Sequence, residues 1–556
     1  MMLNVKSLIS KYKYKFLFVI ILMIITSLIN TLLPYIIKQA ISLVENVTSF
    51  NDISSKILGI VIVYMLFSII SAFLEYIKYV SLTKNTERLT YEIREEAYKK
   101  VISFNMDTFS NMHISTLITR MTADINNIGD FIGRILPMFI SAGIFLIVVL
   151  GVMCFINIYF ALVMIACSLI LVFALLKLGK KMEYYNRKSI ENTEQFNNYF
   201  GETFSGINTI KLFNIQKERR EELDRHNKEE TEISKKYFTI QSALNPVESM
   251  TKYLIISIII YLCIQGKIAG MDVGIIYVVV SYIDKFFEPI VHILYHYENL
   301  QQGNFSIKRI DDLLQKKENI ENIYEGESTE KLEGNIRFKN VNFSYIEGKQ
   351  ILNNVTFSIN KGEKVALVGQ TGAGKTTIIN LILGFYKINS GNILFDGKNM
   401  DDISLESIRK NVSLIQQNPY IFDDTIKRNI IINNNNTISD EMLIDILKQV
   451  GLYDKIQTFE NGIYENVKDS SFSKGEKQLL AFARAIAKET SIYIFDEPTS
   501  NIDIESEVQL KNVIDNLSND STIIIIAHRP ATIENVDKVL KVEDGKVVQV
   551  KETIKI

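Results

Sequence analysis

Gly369-Gln370-Thr371-Gly372-Ala373-Gly374-Lys375-Thr376-Thr377 decides the reading of this chain. It fits G-x-x-x-x-G-K-[ST], a loop that wraps polyphosphates. Its flanks are right for that role. Before it, Lys364-Val365-Ala366-Leu367-Val368 is a short apolar, β-branched run, as a buried strand requires. After it, Ile378-Ile379-Asn380-Leu381-Ile382-Leu383 predicts a continuing helix. A glycine-rich turn between strand and helix lets backbone N–H groups surround phosphate, and the helix start adds its positive dipole end. Lys375 then reaches the β/γ-phosphates, and the Thr376 hydroxyl is placed to ligate Mg²⁺.

Working outward, the chain of 556 residues is too long for one core, so at least two domains are expected. Net charge is −2, which gives no bulk electrostatic case for nucleic-acid binding. Mean hydropathy is +0.12 and 47% of residues are hydrophobic. Those values suit a chain that is part membrane and part aqueous. Cys154, Cys167 and Cys263 lie in apolar runs without metal-ligand spacing and read as reduced small hydrophobes.

A bilayer span needs roughly 20 apolar residues, and about six such runs precede residue 300. They lie near Phe16–Ile37, Ile57–Tyr79, Ile135–Ile156, Tyr159–Leu178, Met250–Ile268 and Val273–Ile293. Lys252 interrupts the fifth; Asp284, Lys285 and Glu288 interrupt the sixth. No cleavable signal peptide is expected, because the first run is too long and lacks a small-residue cleavage site. Lysine and arginine gather before the first run, between the second and third, and between the fourth and fifth. The other connections are short and poor in basic residues. The positive-inside rule therefore predicts a multi-pass protein of the cell membrane with both termini cytoplasmic.

The two long basic stretches, Leu82 to Arg134 and Gly179 to Pro246, lack Gly/Pro clusters and keep helical spacing. Each is expected to be two helices extending the flanking spans, joined by a turn. At roughly 1.5 Å per residue, about 25 residues reach roughly 37 Å beyond the membrane. Charged residues near the membrane, among them Glu75, Lys78, Glu248, Lys252, Asp284, Lys285 and Glu288, are candidates for a cavity or gate. Glu288, His292 and His296 recur every four residues and read as a polar stalk face before a metal site. The domain plan is then 1–314 for the membrane part with its extensions, 315–333 for a polar linker, and 334–556 for an α/β domain.

Further residues beyond the glycine-rich loop suit ATP hydrolysis. Ser491-Ile492-Tyr493-Ile494-Phe495-Asp496-Glu497 is a hydrophobic strand ending in two carboxylates. Asp496 can hold Mg²⁺, largely through water, and Glu497 can orient or deprotonate the attacking water. His528 follows the apolar strand Thr522–Ile526 and is placed to bond the γ-phosphate. Gln417, after Val412–Ile415, offers a neutral side chain to Mg²⁺ or water, and Tyr345 offers a ring to adenine.

With these motifs in order, the chain resembles an ATP-binding cassette (ABC) transporter of the exporter type, a half-transporter with a fused membrane domain. Phe472-Ser473-Lys474-Gly475-Glu476-Lys477-Gln478 resembles the family's signature segment, and Ser500-Asn501-Ile502-Asp503 its D-loop. Tyr345, Gln417 and His528 fall where the family has its A-, Q- and H-loops. The resemblance implies a membrane all-α domain of six transmembrane helices with long cytoplasmic extensions, fused to an α/β P-loop NTPase domain. It implies ATP and Mg²⁺ as cofactors, with Thr376, Gln417 and Asp496 as the metal set. Glu497, His528 and Gln417 would be catalytic. Tyr345, Gly369, Gln370, Thr371, Gly372, Ala373, Gly374, Lys375, Thr376 and Thr377 would bind the nucleotide. Ser473, Lys474, Gly475 and Glu476 would act across a dimer interface, with Asp503 nearby.

One chain is then half a machine: its partner is a second copy, which is favoured, or a related half-transporter, together with the bilayer and a drug, lipid or peptide substrate. Two features depart from the family pattern. Lys474 replaces a glycine of the signature, and Val467-Lys468-Asp469-Ser470-Ser471 looks shortened before it. Activity is expected to survive the lysine; the shortened segment bears instead on how the motion that the resemblance implies is coupled to the membrane helices. Export by alternating access is the leading expectation; a cassette-gated channel or regulator, or an importer on the same fold, is the alternative.

Overall fold

In the computed structural model the chain forms two compact units, one of residues 1–102 and 114–316, the other of 103–113 and 317–556. The structure describes residues 4–45, 50–265, 273–316, 326–328, 331–346, 348–432, 438–497, 504–517, 521–526 and 536–550.

The first unit is helical. In chain order the helices are α1 (Val5–Lys11), α2 (Lys13–Glu45), α3 (Phe50–Ile102), α4 (Met106–Asn111), α5 (Ile114–Thr119), α6 (Ile125–Asp130), α7 (Leu136–Ile156), α8 (Ile158–Ser205), α9 (Ile207–Phe213), α10 (Gln216–Ser242), α11 (Leu244–Ile264), α12 (Val273–Tyr295) and α13 (Tyr297–Gln315). Two π-helical turns, Arg120–Asp124 and Phe131–Ile135, join α5 to α6 and α6 to α7. Among the described residues five helical stretches are long and apolar enough to cross a membrane: Lys13–Val44, Lys56–Ile102, Ile114–Ile156, Ile158–Ser205 and Gln216–Tyr261. A helix also forms where the sixth span is expected, over Val273–Tyr295, and it carries Asp284, Lys285 and Glu288. Those three charges are what set it apart from the other five. The side chain of His292 lies outside the described residues.

The long basic stretches are helices, as their spacing predicts. α3 runs 53 residues and α8 runs 48, far beyond a bilayer's thickness. α8 turns back into α10 through Gly206 and the short α9, whose end is the left-handed Asn214. α4 groups with the second unit, where the Ser110 hydroxyl lies 3.5 Å from that of Tyr386. The core of the helical unit is apolar, with Phe160, Met164, Tyr282 and Phe287 fully buried. Charges flagged from the sequence are paired: Lys252 with Glu248 at 2.7 Å, Lys78 with Glu75 at 3.1 Å. Lys285 donates to the Asn30 carbonyl at 3.5 Å, and Ser71 donates to the Asn30 side chain at 2.8 Å.

The second unit is built on β-sheets. Its strands are β1 (Ile336–Phe343), β2 (Leu352–Ile359), β3 (Lys364–Val368), β4 (Ser390–Phe395), β5 (Lys398–Asn399), β6 (Val412–Ile415), β7 (Asp424–Thr425), β8 (Asn466–Val467), β9 (Ile492–Asp496), β10 (Thr522–Ile526), β11 (Lys538–Glu543) and β12 (Lys546–Val550). Its helices are α14 (Lys375–Ile382), α15 (Leu405–Asn411), α16 (Ile426–Ile430), α17 (Asp440–Gln449), α18 (Tyr453–Gln457), α19 (Lys474–Lys488) and α20 (Ile504–Leu517). The main sheet has the order β12-β11-β3-β10-β9-β6, parallel except for the β11–β12 hairpin. A separate antiparallel sheet runs β2-β1-β4-β5.

The parallel strands read as continuous apolar runs because both of their faces are covered. Strand residues alternate between faces. Ile492, Ile494, Ile524 and Ile526 enter the core shared with the antiparallel sheet and α14. Tyr493, Phe495, Ile523 and Ile525 enter a second core under α16, α17 and α19. Because Ile524 is fully buried between strands on both sides, Ile524→Ala leaves a cavity that costs about 2–5 kcal/mol. A thermal melt of the full chain in detergent should show the midpoint of this unit lowered by several degrees; an unchanged midpoint would contradict the packing described.

Candidate active site

The carboxyl ends of β3, β10, β9 and β6 lie side by side, and the predicted site residues follow them. In parallel α/β sheets this edge is where ligands bind. The glycine-rich loop leaves β3 and enters α14 at Lys375. Gly369, Gly372 and Gly374 all have positive φ, at 155°, 85° and 112°. A Cβ on Gly369 would lie 2.2 Å from the Val542 carbonyl of β11, so that glycine is required by backbone contact as well as by φ. The loop is thereby fixed, and Gln370 and Thr371 at its tip stay exposed.

Lys375 is 6% exposed and folds back onto the loop. Its Nζ donates to the carbonyls of Gly369 at 2.7 Å and Gln370 at 3.0 Å. Burial pushes this ammonium below its ordinary pKa, while the nearby Glu497 and Asp496 carboxylates push it back up. The next residue, Thr376, is exposed, whereas Thr377 is buried and accepts from the Tyr345 hydroxyl at 3.3 Å. Asn380 of α14 donates to the same hydroxyl at 3.2 Å. Tyr345 thus sits beside the loop, with Phe343 and Tyr386 edge-on to its ring.

Glu497 follows β9 and adopts the left-handed region at φ 51°. For a residue with a Cβ this costs about 1 kcal/mol or more. Two hydrogen bonds hold it there. Its N–H donates to the Ile526 carbonyl of β10 at 3.2 Å, and its carbonyl accepts from Gln478 Nε2 at 3.1 Å. The carboxylate accepts from Gln417 Nε2 at 2.7 Å. Gln417, Glu497, Asp496 and Lys375 are therefore one cluster. Of these contacts, the Gln478 bond carried no sequence signal of its own. Its residue lies in the signature segment and is fully buried.

Ser473 caps α19. Its hydroxyl accepts from the Glu476 N–H at 3.2 Å, and the Glu476 carboxylate accepts from the Ser473 N–H at 2.7 Å. This is a capping box. Burial would raise the Glu476 pKa, but the Ser473 bonds and Lys455 outweigh it, so its carboxyl sits below the ordinary value. Lys474 follows the cap and is exposed, and Gly475 comes next. The segment before the cap forms β8, which pairs with β7, and a single 3₁₀ turn over Asp469–Ser471. A cavity of about 240 Å³ is shared by Gln417, Tyr420, Asp469, Lys474 and Lys477. His528 and Asp503 lie outside the described residues.

This edge can hold a polyphosphate on the loop, with an ammonium inside it and a carboxylate held by an amide at its margin. Comparison with known proteins agrees. Residues 16–290 match the family model of the ABC transporter transmembrane region, and residues 352–500 match the ABC transporter family model. The chain belongs to the ABC transporter family. It is 30% identical over 532 residues to a putative ABC transporter ATP-binding protein, exp8, of Streptococcus pneumoniae, covering 94% of this chain and 89% of that one. It is 28% identical over 516 residues to a probable multidrug resistance ABC transporter ATP-binding/permease protein, YheH, of Bacillus subtilis, covering 90% and 75%. In fold it is similar to a bacterial Atm1-family ABC exporter with ATP bound, at a TM-score of 0.77, 20% identity and coverage of 97% and 94%. This ABC transporter is a multi-pass membrane protein whose second unit binds ATP and couples its hydrolysis to transport.

Two of the loop glycines separate steric from conformational need. Gly372 has positive φ but open space around a Cβ, unlike Gly369. Gly369→Ala should weaken binding of a fluorescent ATP analogue by about tenfold or more, with Gly372→Ala losing clearly less. Equal losses at the two positions would show that the Val542 contact is not what fixes the loop.

Proposed function

We propose that two copies of this chain form an ATP-driven exporter with both termini on the cytoplasmic side. The observation that carries the catalytic part is the cluster of Lys375, Asp496, Glu497 and Gln417 along one sheet edge, fused to a membrane-spanning unit. Glu497 is the general base for the attacking water, and Gln417 holds its carboxylate in place at 2.7 Å. Lys375, now bonded to loop carbonyls, turns to the phosphates when ATP arrives. Tyr345 stacks on the adenine, and Gly369 to Thr377 wrap the phosphates. His528 is assigned to the γ-phosphate and Asp503 to the dimer contact.

Thr376, Gln417 and Asp496 supply hard oxygen donors and fit Mg²⁺, which when bound neutralises phosphate charge. The exposed start of α19, with Ser473, Lys474 and Gly475 backed by the Glu476 cap, is the surface that meets ATP held by the partner copy. Intact Glu497 lets two identical chains make two equivalent sites, which supports a homodimer. The cassette-gated channel and the importer find no support among the relatives, whose names describe multidrug resistance and export. Drug-like amphiphiles are accordingly the proposed cargo, and the Asn30–Ser71–Lys285 cluster between α2, α3 and α12 is the polar contact offered to them.

Glu497→Gln tests the reading. It removes the base and keeps the shape, so steady-state ATP hydrolysis in nanodiscs should fall about a hundredfold or more while ATP binding persists. Inverted vesicles carrying the unaltered protein should concentrate a fluorescent drug-like dye when given ATP, and vesicles with the variant should not. Wild-type turnover by the variant, or dye that only equilibrates, would overturn the proposal.

A further inference from the structure

The corner between α1 and α2 encloses a second cavity, of about 380 Å³, that the ATP reaction does not use. Its wall is made by Phe16, Ile20 and Met23 of α2, Leu82 of α3, Ile132 of the π turn and Pro137 of α7. Lys13 is its one charged lining residue and Ser10 its one other polar one. An apolar cleft with a single cation at its mouth suits a ligand with the same division, a hydrocarbon tail under an anionic head.

Several observations favour that ligand over an apolar solute. First, the mouth is positive. Lys6, Lys11, Lys13 and Lys15 fall close together in the sequence. Lys11 is spoken for by Glu92 at 3.5 Å, but Lys13 has no carboxylate partner among the described residues and lies over the Tyr14 ring at 5.0 Å. Second, the depth is right. Lys13 to Met23 is ten residues of α2, or roughly 15 Å, about half of a hydrocarbon core. A tail lying in the cleft with its headgroup at Lys13 would end near the bilayer midplane. Third, the mouth is held in place. The Val5 N–H donates to Asp311 of α13 at 2.6 Å, and the Tyr12 hydroxyl donates to Glu92 of α3 at 2.6 Å. α1 is therefore tied to two other helices, and the lysine that follows it keeps its station at the membrane edge.

We propose that this cleft is a binding site for one anionic phospholipid, with Lys13 holding the headgroup phosphate and the cleft holding an acyl chain. The lipid wedges α1 and α2 against α3 and α7, so its presence sets how tightly the first span packs. The site stands apart from the nucleotide reading, because none of its residues belongs to the second unit.

The chain contains no tryptophan, so a single introduced one reports on its own surroundings. Phe16→Trp places the reporter in the wall. Phe173→Trp, at an exposed position of α8 outside the cleft, is the control. Each purified variant is reconstituted in phosphatidylcholine vesicles with increasing fractions of dibrominated phosphatidylglycerol, and in parallel with dibrominated phosphatidylcholine. Quenching at Phe16→Trp should show about a fivefold preference for the anionic lipid, the effect of one lysine at an anionic headgroup. The control should show none, and Lys13→Gln added to Phe16→Trp should abolish the preference. Ile20→Trp repeats the measurement if Phe16→Trp does not fold. Equal preference at wall and control, a preference that survives Lys13→Gln, or identical quenching by the two lipids would overturn the proposal.

Discussion

The parallel pairing of β3, β10, β9 and β6 is the constraint on which the ATP-binding unit depends. Each strand is short and nearly all buried, so none is stable without its neighbours. Their shared direction leaves every carboxyl end on one edge of the sheet. The glycine-rich loop, the carboxylate pair and Gln417 lie far apart in the chain, and only this pairing makes them one site. β11 completes it from the other side, because its Val542 carbonyl fills the space where any side chain at residue 369 would lie.

The geometry also links the start of α19 to the proposed base. Gln478 lies five residues beyond the Ser473 cap, roughly 7.5 Å along the helix. It is fully buried and donates to the Glu497 carbonyl. A second bond to its backbone comes from β10, whose Ile526 carbonyl accepts from its N–H. Glu497 is therefore suspended between the sheet and α19, at a φ that needs both supports. A shift of α19 along its axis would act on this hold. That arrangement makes the carboxylate responsive to whatever meets the exposed end of the same helix.

Much of this was legible in the sequence, and the reasons are physical. β3, β6, β9 and β10 announce themselves because strands covered on both faces must be apolar throughout. The loop between β3 and α14 shows its glycines because positive φ and close backbone contact admit little else. The long extensions of α3 and α8 show because charge can ride a helix into water without breaking it. The antiparallel sheet was less visible. Its β1 alternates buried and exposed positions imperfectly, with shifts in register around Val341, so no clean period of two survives. The π turns before α7 have no sequence mark, since they differ from α-helix only in hydrogen-bond spacing. Their setting is apparent only in space. Ser306 and Arg309 of α13 reach Asp124 at 2.9 and 3.4 Å, and Gly303 leaves room for Phe131. Gln478 was hidden for a related reason, because a buried amide whose partner is a distant backbone carbonyl has no local pattern.

The helical extensions carry a further lesson about what kind of contact suits a moving part. α10 is dense in charge and presents little apolar surface, so α8 and α10 cannot be bound as the core helices are. They are stitched by polar bonds instead. Ser189 and Asn192 of α8 both donate to Glu230 of α10 at 2.8 Å, and Tyr199 of α8 donates to the Arg219 carbonyl of α10. Such bonds fix register, since each needs its partner at one height. They also exchange with water at small net cost, about 1 kcal/mol each, whereas separating an apolar seam costs energy for every methylene exposed. A pair of rods held this way keeps its register, yet does not resist a change of angle as a packed core would. Near the membrane the balance reverses, and Phe160, Met164, Tyr282 and Phe287 bind α8 and α12 through an apolar core. The rods are thus firm at their membrane ends and compliant beyond, which is the gradient a lever needs.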